Sequence, residues 1–237
     1  MKKVIHRADV RGEADMGWLK AKYSFSFSNH HDPNRIQFGL LRVLNDDRIA
    51  PAMGFGMHPH DNMEIVTIPL KGAVRHRDNM GNEGIVKAGE IQIMSAGKGI
   101  VHSEHNASAT EELNLFQIWL FPKERNITPH YDQRAFTLQE RYGKFQLLVS
   151  PNKEEGTLWI NQDAWFSMGH FADKAETNYT IKRNGNGVYL MVIEGEIEVG
   201  GETLGKRDAI GIYDTTDITI KANKDTELLV IDVPMDL

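Results

Sequence analysis

The chain has 237 residues, 41 % of them apolar, and a net charge of −6, with a pI of about 5.9. This is enough chain for one large all-β domain or two smaller ones, and the acidic balance offers no basic face for nucleic acid. The absence of cysteine excludes disulfides, thiolate metal sites and cysteine nucleophiles, and argues against an iron–sulfur cluster. Met1 to Asp9 carries two lysines but no apolar core, so it does not read as a secretory signal. No stretch approaches the ~20 apolar residues of a membrane span. A soluble, cytoplasmic protein is expected.

Tyr23-Ser24-Phe25-Ser26-Phe27-Ser28 alternates aromatic with small polar residues, the pattern of a half-buried strand. His30 and His31 follow among Asn, Asp and Pro. Neighbours on an extended chain face opposite ways, so this pair reads as a solvated turn. Phe38 to Leu44 reads as another strand, closed by an Asn45-Asp46-Asp47 turn.

The stretch from Phe55 to Asn106 carries the chemistry. One end holds His58 and His60, the other His102 and Glu104. Residues i and i+2 of a strand share a face, so each pair can aim inward together. Three neutral imidazoles and a carboxylate suit a divalent transition metal with positions left for water or substrate. Parity alone also admits Glu64 as the carboxylate. Between the pairs, Met63 to Leu70 is mostly apolar, Gly72 ends it, Ala73 to Arg77 returns, and Asp78 to Asn82 has turn composition. Two more short strands break at Gly89. Short strands, Gly-rich turns and no amphipathic helix indicate an antiparallel sandwich or barrel. In that architecture, hairpins distant in sequence can bring both pairs into one interior.

Leu113 to Phe121 reads as a buried strand whose Gln117 needs a polar partner, either in a pocket or on the backbone. Trp119 reads as core. Pro122 to Phe136 reads as a connection with an exposed His130. His170, alone in an apolar strand, reads as a core histidine.

Residues 175 to 237 repeat the rhythm of the stretch around Ile65 to Met94, with a period of about 120 residues. Two tandem antiparallel β-barrels of jelly-roll type are expected, over residues 1–122 and 123–237. Aligning Gly72 on Gly195 places His58 and His60 on Ile181 and Arg183. Aligning Gly89 on Arg207 places His102 and Glu104 on Ile220 and Ala222. No ligand survives, so the second barrel is expected to bind no metal and to be structural.

The motifs His58-x-His60-x3-Glu64 with Gly72, and Gly89, Gly97, His102 and Asn106, resemble the two boxes of the cupin superfamily. The wording is closer still to the pirin family: His58-Pro59-His60, Met63-Glu64-Ile65-Val66-Thr67, Ser95-Ala96-Gly97-x-Gly99-Ile100-x-His102-Ser103-Glu104 and Gln117-Ile118-Trp119-Leu120, with Leu41 to Asp47 upstream. The resemblance is dense over about the first 122 residues. It implies a bicupin with one metal, usually iron, in the first barrel, held by His58, His60, His102 and Glu104; nickel, manganese, copper and zinc suit the same donors. Glu64 is then left to orient a histidine. Asp61 departs from the basic residue many relatives carry.

The resemblance further implies a quercetin 2,3-dioxygenase-like oxidoreductase, which opens a flavonol with dioxygen and releases carbon monoxide. Glu104 would act as both ligand and base, and Phe55, Met57 and Met63 would wall the pocket. The expected partners are a small hydroxylated aromatic and dioxygen, with no direct nucleic-acid contact and a monomeric state. The alternative is a non-catalytic, metal-binding pirin that regulates other proteins.

Overall fold

The structure, a computed structural model, describes residues 1–153 and 156–236. Among them there is no α-helix, only two 3-10 turns at Ala8–Val10 and Leu138–Arg141. The strands form four antiparallel-dominated sheets, one of seven and one of four strands in each half. Each half is a pair of facing jelly-roll sheets, open at the edges rather than closed into a cylinder.

In the first half the four-stranded sheet runs Gly54–His60, Ile100–Asn106, Ala73–Asp78, Glu83–Lys87. The seven-stranded sheet runs His130–Ala135, Glu90–Ser95, Glu64–Lys71, Leu113–Leu120, Leu41–Ile49, Leu19–Tyr23, Gly12–Asp15. The second half repeats this order strand for strand. Ala209–Tyr213, Asn186–Glu194 and Thr226–Pro234 stand where Glu90–Ser95, Glu64–Lys71 and Leu113–Leu120 stand in the first. The expected internal repeat is present in the topology.

Both outer edge strands are exchanged between the halves. The opening strand Lys2–His6 pairs with Ala209–Tyr213 of the second half. His130–Ala135, expected as a connection, pairs with Glu90–Ser95 of the first. His130 is consequently half-buried, with its ring against Trp159.

The seven-stranded sheets are buried on both faces, so their strands are almost continuously buried. Glu64–Lys71, rich in β-branched residues, has six buried residues in succession. Its even positions, Val66 and Ile68, join Ile93, Phe116 and Ile118 in a core shared with Phe166, Tyr189, Met191 and Ile231 of the second half. Its odd positions face the interior of the first half. The second interior is one apolar cluster that includes Val188, Leu190, Ile197, Ile218 and Ile220. The first interior has two smaller clusters, around Leu19, Ile49 and Leu115 and around Ile65, Met94 and Ile100.

Two sequence expectations fail here. Tyr23–Ser28 is not a half-buried strand: the strand ends at Tyr23, and Ser24, Phe25 and Ser26 are all buried in a bend. Ser26 Oγ closes this bend by donating to Asp32 O and accepting from Asp32 N. Asn45-Asp46-Asp47 is not a turn either, but the middle of Leu41–Ile49. The charge of Asp46 is offset on the outward face, where Arg207 Nε approaches it at 2.8 Å and Asn114 Nδ2 donates to it at 2.7 Å. Arg11, whose side chain is 1 % exposed, stands 3.9 Å away. Removing one partner of such a largely desolvated set leaves uncompensated charge. Asp46→Ala is expected to cost about 3 kcal/mol, read as a lowered midpoint in denaturant unfolding; an unchanged midpoint would contradict this account.

Candidate metal centre

The donors come from one row of the small sheet. His58 lies directly opposite His102 across the Gly54–His60/Ile100–Asn106 pair, and His60 lies opposite Ile100. The register then shifts, so that Glu104 faces Phe55. The extra residue is a β-bulge, a feature that re-aims side chains. Gly54 is required for this close pairing, because a Cβ there would meet Glu104 O at 2.3 Å.

His58, His60 and His102 bring one ligand nitrogen each within 4.8 Å of one another. Ring centroids lie 4.4 Å apart for His58–His102, 4.9 Å for His58–His60 and 5.0 Å for His60–His102. His58 Nδ1 lies 2.8 Å from Gly56 O. Donating there leaves Nε2 free to ligate, the usual way a histidine ligand is oriented. His102 is buried with both ring nitrogens unpartnered. Burial lowers His102 to about 3, helped by His58 and His76. Burial lowers His60 to about 4, helped by His102 and His58. Both imidazoles are therefore neutral at pH 7, the form a metal requires. A buried imidazole without partners, converging with two others, fits a divalent cation.

Glu104 sits two residues beyond His102. It groups with His76 and His102 rather than with His58 and His60. Its carboxylate spans the interior to the large sheet. Thr67 Oγ1 and Gln92 Nε2 donate to Oε1 at 3.1 and 3.0 Å, and Gln117 Nε2 donates to Oε2 at 2.7 Å. Gln117 thus finds its partner in the site. His76, fully buried, holds Asp78 at 3.2 Å and stacks on Tyr131 at 4.5 Å. His76 and Asp78 carry the same two-residue spacing that marks the other pairs, and that signal could have identified them.

Glu64 does not reach the site. It lies on the outward face, where Ser95 Oγ and Asn161 N donate to its Oε2 at 2.6 and 3.0 Å. It therefore orients no histidine. Counting parity from His60 fails because Asn62, at φ 46°, breaks the extended chain and the next strand belongs to the other sheet.

A cavity of about 220 Å³ opens on the histidines. Phe27, Phe55, Ile65 and Trp119 give it apolar walls, and Tyr23, Asn45, Asp47 and Gln117 a polar floor. Trp119, expected as core, lies against His60 at 4.9 Å. Of the expected walls only Phe55 is present: Met57 is 55 % exposed, and Met63 packs on the Ile65 cluster. His31 is exposed, as a solvated turn requires, while His30 packs on Tyr23. His170 is half-buried against Tyr142.

In the second half, Ile220, the position that sequence alignment gives for His102, lies opposite Thr177, with Tyr179 two residues on. Tyr179, Ile220 and Ala222 lie in the apolar cluster. Among the described residues, both metal-type groups lie in the first half.

Two facing sheets with histidines and a carboxylate converging inside one pair, and apolar filling in the other, define a two-domain cupin. The chain belongs to the pirin family. Residues 4–120 match the Pirin family model, and residues 147–233 match the quercetinase C-terminal cupin domain. It is 43 % identical to a quercetin 2,3-dioxygenase of Escherichia coli K12, over 97 % of this chain and 98 % of that one. It is equally identical to a pirin-like protein of Caulobacter vibrioides, over 94 % and 96 %. The crystal structure of YhhW from E. coli superposes with TM-score 0.94 at 42 % identity, covering 98 % of both chains. Its nickel(II) complex superposes at 0.93 and 41 %, covering 98 % and 99 %. The centre is thus of the cupin type that takes a divalent metal. No helix among the described residues is long and apolar enough to cross a membrane.

Burial pushes Glu64 from its ordinary 4.5 up to about 7, against the bonds from Ser95 and Asn161. Between those values the folded chain holds a proton that the unfolded chain has lost. Glu64 therefore subtracts stability as pH rises through that window. Glu64→Gln is expected to gain on the wild type from pH 5 to pH 8 in denaturant unfolding. A difference that does not change with pH would refute this.

Proposed function

We propose that the chain is a metal-dependent dioxygenase of the quercetinase type. In this reading it holds one divalent transition metal, iron, through His58, His60, His102 and Glu104. It opens a flavonol with one molecule of dioxygen and releases one carbon as carbon monoxide. The observation that carries the reading is a buried His102, unpartnered at both nitrogens, at the inner end of an apolar cavity. The names of relatives at this level of identity support the substrate class.

When bound, the metal supplies a Lewis acid that acidifies a substrate hydroxyl and favours an electron-rich enolate. The other tasks fall to the chain. Glu104 takes the hydroxyl proton on Oε2, the oxygen with a single donor, Gln117. Thr67 and Gln92 hold Oε1 and keep the carboxylate aimed. Phe27, Phe55, Ile65 and Trp119 hold the flat rings and exclude water. The second half supplies the wall on which the large sheet packs. We assign residues 1–122 to the metal domain and 123–237 to the support, apart from the two exchanged strands.

Elemental mass spectrometry is expected to find one transition metal per chain, lost in His102→Ala. Oxygen uptake with quercetin should vanish with it. Gln117→Leu should keep the metal but lose about 10- to 100-fold in turnover, as when a ligand's support is removed. A stoichiometric metal without flavonol turnover would leave the centre and refute the activity.

A further inference from the structure

Asn45 and Asp47 have no part in holding the donors, yet both line the cavity. Both are buried, at 3 % and 4 % exposure, and the Oδ1 of each lacks a hydrogen-bond partner. Buried acceptors are normally satisfied, and leaving one unpaired costs about 1–3 kcal/mol. Their positions follow from register. Asn45 lies directly opposite Gln117 on one side and Tyr23 on the other. Asp47 is two residues further along the same face, opposite Ala21. Asn45 stands one strand, about 5 Å, beyond the glutamine that holds Glu104, and Asp47 stands opposite Leu115, two residues further along the same strand. The walls between are apolar.

We propose that Asn45 and Asp47 form a second recognition point, which accepts hydrogen bonds from hydroxyl groups of the substrate other than the one that meets the histidines. The ligand chemistry follows from the atoms. Two unpartnered acceptors call for donors, and on an aromatic substrate those donors are ring hydroxyls. Burial, with Asp46 and Glu104 nearby, raises Asp47 to about 8, so at neutral pH its carboxyl is largely uncharged. A neutral carboxyl takes a hydroxyl without bringing a bare charge onto an aromatic ring. Tyr23, in the same floor, is raised by burial and by Asp47. It remains a hydroxyl that can shift its own donor to suit. A site built to bond a substrate hydroxyl discriminates strongly against the analogue that lacks it. Asn45 and Asp47 are thus specificity-determining residues rather than catalytic ones.

The inference rests on the flavonol reading above and deepens it. The test compares quercetin with 3-hydroxyflavone, which keeps the metal-binding hydroxyl and ketone and lacks the others. Wild type, Asp47→Ala, Asp47→Asn and Asn45→Ala are loaded with metal. Turnover is measured, and binding is measured separately by fluorescence quenching of zinc-loaded protein without oxygen. Wild type is expected to prefer quercetin about 10- to 100-fold, the fold-change equivalent to one or two unpaired acceptors. Asp47→Ala and Asn45→Ala should narrow that preference at least several-fold through KM and Kd, leaving 3-hydroxyflavone unchanged. Asp47→Asn, which keeps a neutral polar group, should retain most of it.

Turnover of both flavonols with the same preference in wild type and alanine variants would overturn the inference while the activity stands. Binding with the expected preference but no turnover would overturn the activity while the inference stands. Binding of neither flavonol would overturn both. Because the alanine changes remove unpartnered polar atoms, thermal midpoints should not fall. Should one variant fail to fold, Asp47→Asn and Asn45→Ala still carry the comparison.

Discussion

The molecule depends on two-sided burial of its large sheets. A strand with water on one face can satisfy its pattern with any polar residue there. A strand with protein on both faces must specify every position twice over, and a slip of one residue would exchange the two sets. Asp46 and Asp47 show the consequence: these neighbouring aspartates face opposite ways. One meets Arg207 in the junction between the halves, and the other meets the cavity. Leu113–Leu120 does the same, with Phe116 and Ile118 in the shared core and Gln117 and Trp119 in the site. Packing of the halves and placement of the site are one constraint read on two faces.

The two interiors show what the metal-type site requires. The second is filled by apolar side chains from both sheets, most of them aliphatic. In the first, apolar packing is parted by a crosswise row of Gln117, Thr67 and Gln92 under Glu104. A carboxylate inside a sandwich has to be desolvated, and three side-chain donors offset that cost. The row gives up part of the hydrophobic core to fix one carboxylate.

Much of this was legible in the chain. His58 with His60 and His102 with Glu104 announced inward-facing pairs, because local parity survives within a strand. The repeat announced two like halves. What failed did so where information was not local. Asn45-Asp46-Asp47 has the composition of a turn, which an isolated strand would not tolerate, and the arginine that rescues it as a strand lies 161 residues away by number. Glu64 kept the right count and took the wrong face, because one left-handed residue, Asn62, resets the alternation. Gln92 carries no motif, and Thr67 and Asn45, though they lie inside the stretches that resemble the pirin family, have no ligand-type spacing to mark them. They become a site only when four strands set them side by side. His76 and Asp78 obey the same two-residue rule as the other pairs.

The exchanged edge strands bear on how the chain is made. Lys2–His6 is synthesised well before its partner Ala209–Tyr213, with the whole first half between them. Until then the first residues have no sheet to join, and the free edge of the second half has no cover. Pairings so far apart in sequence form slowly, since the loop they close must be ordered before they reward it. The first half is bound in the same way, because its own edge waits for His130–Ala135. Neither half can be finished by its own residues alone. Completion of the fold therefore waits for synthesis of the second half, and a chain cut between the halves would leave two sheets each lacking a margin.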